Sequence, residues 1–410
     1  MTYDLARIRS DFPALEHGVA HFDGPGGSQS PRQVAEAVSS TLTAGLANRG
    51  TVTEAEQRAE DVTQAARAAM ADLLGAQEEG IVFGRSMTQL TFDMARTLAQ
   101  DWGAGDEIVV TRLDHDANIR PWVIAADRAG ATVRWLDFDP GTAELGDIAP
   151  LLGERTRLVA VTAASNLLGT RPDVAGIAAH AHAAGALVYV DAVHLAPHAS
   201  IDMDALGADF VACSPYKFFG PHHGVLAASP ALLETLHPEK LLPSSDAVPE
   251  RFELGTLPYE LLAGTTAAVD YIAGLASSAG DRRTALEESM RALDAHEEQL
   301  FARVLDGLTA IDGVVLHGRP ARRTPTALFT VDGLTPREVY EGLAKVGVNA
   351  PASHFYAIEA SRHAGLGDAG GVRVGLAAYT SADDVERLIE GVAGLAGTGR
   401  RVVGASDGRG

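Results

Sequence analysis

Lys217 lies in the stretch CSPYKFFGPHHG (213–224), in a chain whose only other lysines are Lys240 and Lys345. Those two fall on polar helical stretches and read as solvated side chains, the usual state of lysine. Lys217 instead follows an apolar run and is crowded by Tyr216, Phe218 and Phe219. Desolvation there would lower its proton affinity and let it form a Schiff base with a carbonyl. Pyridoxal phosphate is the cofactor most often held that way, and the sequence offers the other groups it needs. Its pyridine nitrogen needs a carboxylate, and Asp191 ends the buried run LVYVD. A buried aspartate is costly unless paired, so a cationic partner is expected. The ring needs a flat partner, for which His115 is the candidate. The phosphate needs N–H groups at a helix start together with hydroxyls, and GRSMT (84–88) supplies both.

Positioning these residues requires a sheet. From residue 80 onward, short apolar runs alternate with helical patterns: GIVFG (80–84), DEIVVTRLD (106–114), TVRWLDFD (132–139), TRLVAVTAAS (156–165), ALVYVDAVH (186–194), DFVACS (209–214) and GVLAAS (224–229). Continuous apolar strands with helical crossovers predict a mostly parallel sheet covered on both faces. Open sheets of this kind bind ligands beyond the carboxyl ends of their strands. Ser86, His115, Asn118, Asn166, Asp191, His194, Ser214 and Lys217 all fall at such ends. After a long charged helix near 275–300, a smaller α+β unit follows. The expected division is an N-terminal segment (1–20) packing on the small domain, a large domain (21–275), a small domain (276–398) and a loose tail (399–410).

Bulk properties narrow the function. The chain has 410 residues, 46% of them hydrophobic, which is enough for a large core. No run of eighteen apolar residues occurs, so no membrane span is expected. The N-terminal MTYDLARIRSDFP lacks the apolar stretch of a signal peptide, which points to the cytoplasm. A formal charge of −21 disfavours a nucleic-acid partner. The single Cys213 excludes a disulfide framework and a multi-cysteine zinc site. No metal site is expected, because Pro197 between His194 and His198 argues against a helix that would align them. FDGPGGSQSP (22–31) is glycine-rich, but no Gly-x-Gly-x-x-Gly opens a helix and no Gly-Lys-Ser/Thr exists. It reads as a loop at a substrate mouth.

These residues also carry a resemblance. Residues 191–224 resemble the lysine signature of class V aminotransferase-fold enzymes, and most of all the cysteine desulfurase-like branch. DHDANIRPW (114–122), SNLLGT (165–170), RFELGTLP (251–258) and VRVGLAAYTSADDVERL (372–388) resemble that family's other motifs, in order and spacing. The likeness spans about residues 10–398. It implies the aspartate-aminotransferase-like fold (fold type I), with a large mostly parallel seven-stranded sheet domain and a small C-terminal α+β domain. It also implies site roles. Lys217 would hold the cofactor and carry protons, Asp191 would pair with the pyridine nitrogen, and His115 would stack on the ring. Asn166 and His194 would touch the phenolic oxygen. Ser86, Ser214 and the backbone of Met87 would hold the phosphate. Thr256 would reach the phosphate of a neighbouring copy, which implies a homodimer with sites at its interface. Arg373 would grip the α-carboxylate of an amino-acid substrate.

The chain departs from the desulfurase pattern at one loop. Where that branch carries Gly-His-x-Cys-Ala, this chain reads ASHFYA (352–357), with Tyr356 at the cysteine position. Cys213 lies inside a strand and reads as a small buried hydrophobe. Tyr216 stands where a histidine is common, as an acid, a base or a wall. Tyr356, His354 and the 22–31 loop are expected to line the substrate pocket, with Tyr356 beside Lys217 and His115 in catalysis. The expected activity is C–S cleavage of cysteine or a cysteine conjugate. The alternative is an aminotransferase or amino-acid epimerase in a specialised pathway.

Overall fold

The computed structural model describes residues 3–276 and 280–406. Thirteen strands occur among them. They are β1 (Ala20–His21), β2 (Ile81–Gly84), β3 (Glu107–Thr111), β4 (Thr132–Leu136), β5 (Thr156–Thr162), β6 (Leu187–Asp191) and β7 (Phe210–Cys213). The rest are β8 (Gly224–Ala228), β9 (Val314–His317), β10 (Thr326–Val331), β11 (Val348–Asn349), β12 (Ala352–Ser353) and β13 (Gly371–Gly375). The seven apolar runs between residues 80 and 229 each become one strand of a single sheet, ordered β2-β8-β7-β6-β5-β3-β4. Only β8 runs against the others. Six carboxyl ends therefore share one edge, and β8 starts at that same edge.

Helices cover both faces of this sheet, which is why its strands are apolar throughout instead of alternating. The small domain is a four-stranded antiparallel sheet, β12-β13-β10-β9, with its own core around Phe329, Val339 and Val374. Helix Arg282–Thr309 belongs to both domains. Leu286, Met290 and Leu293 pack into the large core, whereas Phe301, Val304 and Leu308 pack into the small one. A boundary at residue 276 assigns the whole helix to one side, while its apolar stripe serves two cores in succession.

The N-terminal segment also bridges the domains. Ile8 and Phe12 sink into the large core, while Tyr3 Oη donates to Ala378 O and β1 pairs with β11. The last helix, Ala382–Ser406, runs on through the stretch expected to be a loose tail. No proline interrupts it there. Residues 407–410 lie outside the described residues. Among the described residues, no helix is long and apolar enough to cross a membrane.

Candidate active site

A cavity of about 330 Å³ opens at the shared carboxyl edge of the sheet, under the small domain. Asp191, His194, Ser214, Lys217, His115 and Asn166 line it from the large domain, and Arg373 and Tyr356 from the small one. Met87 and Thr88, at the start of a helix, also line it.

Asp191 ends β6 and is buried. Burial raises its pKa to about 6, against the lowering effects of the Val193 N–H, which donates to Oδ1 at 2.9 Å, and of the Lys217 charge. The charge of Lys217 acts on it, and among the described residues no ion pair is formed at Asp191. Lys217 stands after β7 on a short turn. Its Nζ donates to Pro25 O and, at 2.9 Å, to Gly26 O, and lies 4.8 Å above the Tyr216 ring. Burial and then the nearby Arg373 charge bring its pKa down to about 7, with Asp23 and Asp191 opposing. Burial, followed by the charges of Lys217 and Arg373, takes His115 down to about 4, so its ring is neutral. Asn118, at the same strand end, turns into the protein instead. It donates to Asp114 Oδ1 at 2.7 Å and accepts from Trp122 Nε1 at 3.1 Å.

The helix Met87–Leu98 begins at the cavity. Ser86 is its N-cap, and its Oγ accepts the Gln89 N–H at 3.1 Å. Ser86 does not line the cavity, and its hydroxyl serves the helix end; Thr88 lines it, as Ser214 does. Gly224 lets this helix start sit against β8. A Cβ there would lie 2.2 Å from Ser86 C and 2.4 Å from Met87 N.

His194 Nε2 lies 3.0 Å from the hydroxyls of both Thr324 and Thr326, while its Nδ1 is buried without a partner. Behind it, His198 Nδ1 lies 2.9 Å from Glu297 Oε2, both side chains being buried. Asn166 Nδ2 donates to Phe355 O at 3.0 Å, and its Oδ1 is likewise buried and unpartnered. Buried polar atoms without partners are rare in finished structures. His194 Nδ1, the carboxylate of Asp191 and the helix start at Met87, with the Asn166 amide beside them, together fit pyridoxal phosphate. They suit its phenolic oxygen, its pyridine nitrogen and its phosphate.

Arg373, on β13, is fully buried. Its Nη2 donates to Asp23 Oδ1 at 2.7 Å and its Nη1 to Asn166 O at 3.0 Å. Its guanidinium carbon lies 3.7 Å from the centre of the Phe355 ring, and its Nε has no partner. Phe355 and Tyr356 have φ of 49° and 59°. Left-handed backbone at a bulky residue costs roughly 1–3 kcal/mol and persists only when its surroundings enforce it. Here the Asn166 amide and the Asp116 N–H, which donates to Tyr356 O at 2.8 Å, do so. The Tyr356 ring then stacks on His115, with centroids 5.6 Å apart and planes 24° apart. His354, expected to line the pocket, does not. Its Nδ1 accepts the Tyr356 N–H at 3.2 Å, and the turned backbone presents Phe355 to the cavity in its place.

Thr256 is exposed and outside this chain's own cavity. Cys213 is buried inside β7, and burial raises its thiol pKa. Burial likewise raises the Tyr216 phenol, which is therefore neutral. Sequence reasoning places the 22–31 loop at the pocket without singling out Asp23, and it misses Phe355. Thr88 was legible in GRSMT, as a hydroxyl one residue inside the helix start.

Residues 20–388 match the family description Aminotransferase class-V. "Probable cysteine desulfurase 2" of Mycobacterium leprae is 33% identical, over 95% of this chain and 96% of that one. "Aminotransferase-like protein FGM3" of Gibberella zeae is 32% identical, over 95% and 97%. The solved apo cysteine desulfurase of Thermococcus onnurineus superposes with a TM-score of 0.86 at 27% identity, covering 96% and 98%. The chain belongs to the class-V aminotransferase family, whose members are pyridoxal phosphate-dependent enzymes.

Proposed function

We propose that this chain cleaves the C–S bond of cysteine or a cysteine conjugate by elimination, releasing a thiol, ammonia and pyruvate with uptake of water. The observation that carries this reading is the absence of a sulfur acceptor from the cavity. The loop ASHFYA, in which we read Tyr356 at the position of the desulfurase cysteine, carries no thiol, and Cys213 is sealed inside β7 with a protonated thiol.

Bound pyridoxal phosphate supplies an electron sink that weakens the bonds at the substrate's Cα. The chain's residues do the rest. Lys217 holds the cofactor, then removes the Cα proton and returns a proton to the departing sulfur. A pKa near 7 suits both directions of transfer. Asp191 holds the pyridine nitrogen protonated, and His115 covers the ring face. Asn166 and His194 orient the phenolic oxygen. Met87, Thr88 and Ser214 take the phosphate, and Arg373 takes the α-carboxylate. Thr256 serves a neighbouring copy in a homodimer. Its exposure, beside the half-exposed Leu254, supports that role.

The test is a product assay with L-cysteine and an S-substituted cysteine. Pyruvate is expected. Alanine would overturn the reading in favour of desulfuration, and a keto acid that retains its sulfur would overturn it in favour of transamination.

A further inference from the structure

The part of the cavity wall not assigned to cofactor or carboxylate carries three aromatic side chains among smaller ones. Tyr216, Phe355 and Tyr356 line it, next to Pro25 and Pro351. Two of these rings are placed by left-handed backbone that bulky residues avoid. The third, Tyr216, lies flat against His222, with centroids 4.6 Å apart and planes 9° apart, so its orientation is fixed from behind. Beside it the rim is glycine. A Cβ on Gly27 would come within 3.4 Å of the Tyr216 ring, and one on Gly26 within 2.3 Å of the Asp23 carboxylate. The rim backbone thus packs close to Tyr216 and to Asp23. The only carboxylate on this wall is Asp23, which is bound to Arg373 and would repel an acidic substrate side chain. Each ring already has a neighbour on one face, Arg373 on Phe355, His115 on Tyr356 and His222 on Tyr216, so a substrate ring would use what these contacts leave open.

We propose that the site accepts a flat apolar group, an aromatic ring carried on the substrate's β-sulfur, seated against Phe355, Tyr356 and Tyr216. The sulfur rests on the reading above, whereas the ring preference stands on the wall itself. Ring faces reward another ring by area and by stacking geometry.

The experiment uses the holoenzyme and two acids that lack the reactive amine, 3-(benzylthio)propanoate and 3-(methylthio)propanoate, with binding measured by calorimetry. The benzyl acid is expected to bind about tenfold or more tightly, the gain of burying one ring. Tyr356→Asn keeps a residue tolerant of left-handed backbone. It should shrink that ratio to about twofold, the loss of one aromatic contact. A parallel Tyr216→Leu variant should also reduce the ratio. Equal affinities in the parent enzyme, or an undiminished ratio in both variants, overturn the proposal. Product analysis with S-benzyl-L-cysteine separates the two readings. Tight benzyl binding without pyruvate removes the cleavage reading and keeps the ring preference. Pyruvate together with equal binding of the two acids does the reverse.

Discussion

Asp23 and Arg373, 350 residues apart, meet at 2.7 Å in the floor of the cavity. The pair joins the glycine-rich rim to β13 and leaves the guanidinium fork half engaged before any substrate arrives. An arginine fork grips a carboxylate through two parallel bonds, which a lysine cannot reproduce. Arg373→Lys should therefore raise KM by about 10–100-fold, with a smaller fall in kcat. Steady-state kinetics decide it, and an unchanged KM would remove Arg373 from substrate binding.

Lys217 should make the apoprotein's stability depend on pH. Its pKa falls from 10.5 in the unfolded chain to about 7 when folded. Between those values the unfolded state binds more protons, so stability rises with pH from about 7 to about 10.5. The gain is on the order of a few kcal/mol. Urea unfolding of the apoprotein across that range should show the slope, and Lys217→Met should flatten it. The same titration predicts that cofactor uptake by the apoprotein quickens through pH 7 and then levels off. An uptake rate that is flat from pH 6 to 8 would contradict the assignment.

Gly224→Ala should loosen the cofactor more than it harms the fold at large. The added methyl drives into the Ser86–Met87 peptide, and the helix start must move. We expect the dissociation constant for pyridoxal phosphate to rise at least about tenfold, the scale of losing one or two helix-end hydrogen bonds. Gly153→Ala meets nothing within 4 Å and serves as the control. Equal cofactor affinity in both variants would show that the phosphate lies elsewhere.

Tyr356→Gly should stabilise the protein while harming recognition. The ring is 71% exposed, so little burial is lost, and the left-handed backbone is relieved by about 1 kcal/mol. Denaturant unfolding measures this. A loss of stability would mean that the ring's stack on His115 outweighs the strain.

Much of this arrangement was legible in the residue order. The seven apolar runs are Val- and Ile-rich and lie between helical patterns, so they became the seven strands of one sheet. The residues at their ends met because parallel strands deliver their carboxyl ends to one edge. What was hidden depended on backbone detail and on distance along the chain. Nothing local shows that the Ser86 hydroxyl is taken up by the Gln89 N–H. Nothing marks Asp23 as the partner of Arg373. The left-handed turn at 355–356 exchanges the expected His354 for Phe355, and no glycine or asparagine announces it. The dual packing of helix Arg282–Thr309 escaped because an apolar stripe does not say how many cores it serves.

That helix has a mechanical consequence. One rod set in both domains acts as a splint, so the small domain cannot swing away as on a free joint near residue 276. Glu297 sits partway along the rod and holds His198, while the far domain holds His194 through Thr324 and Thr326. Any opening of the cleft must bend the rod or break these contacts together with the Arg373–Asn166 bond. The groups proposed for the site are thus held together by the architecture, with the exposed Tyr356 on the cavity wall.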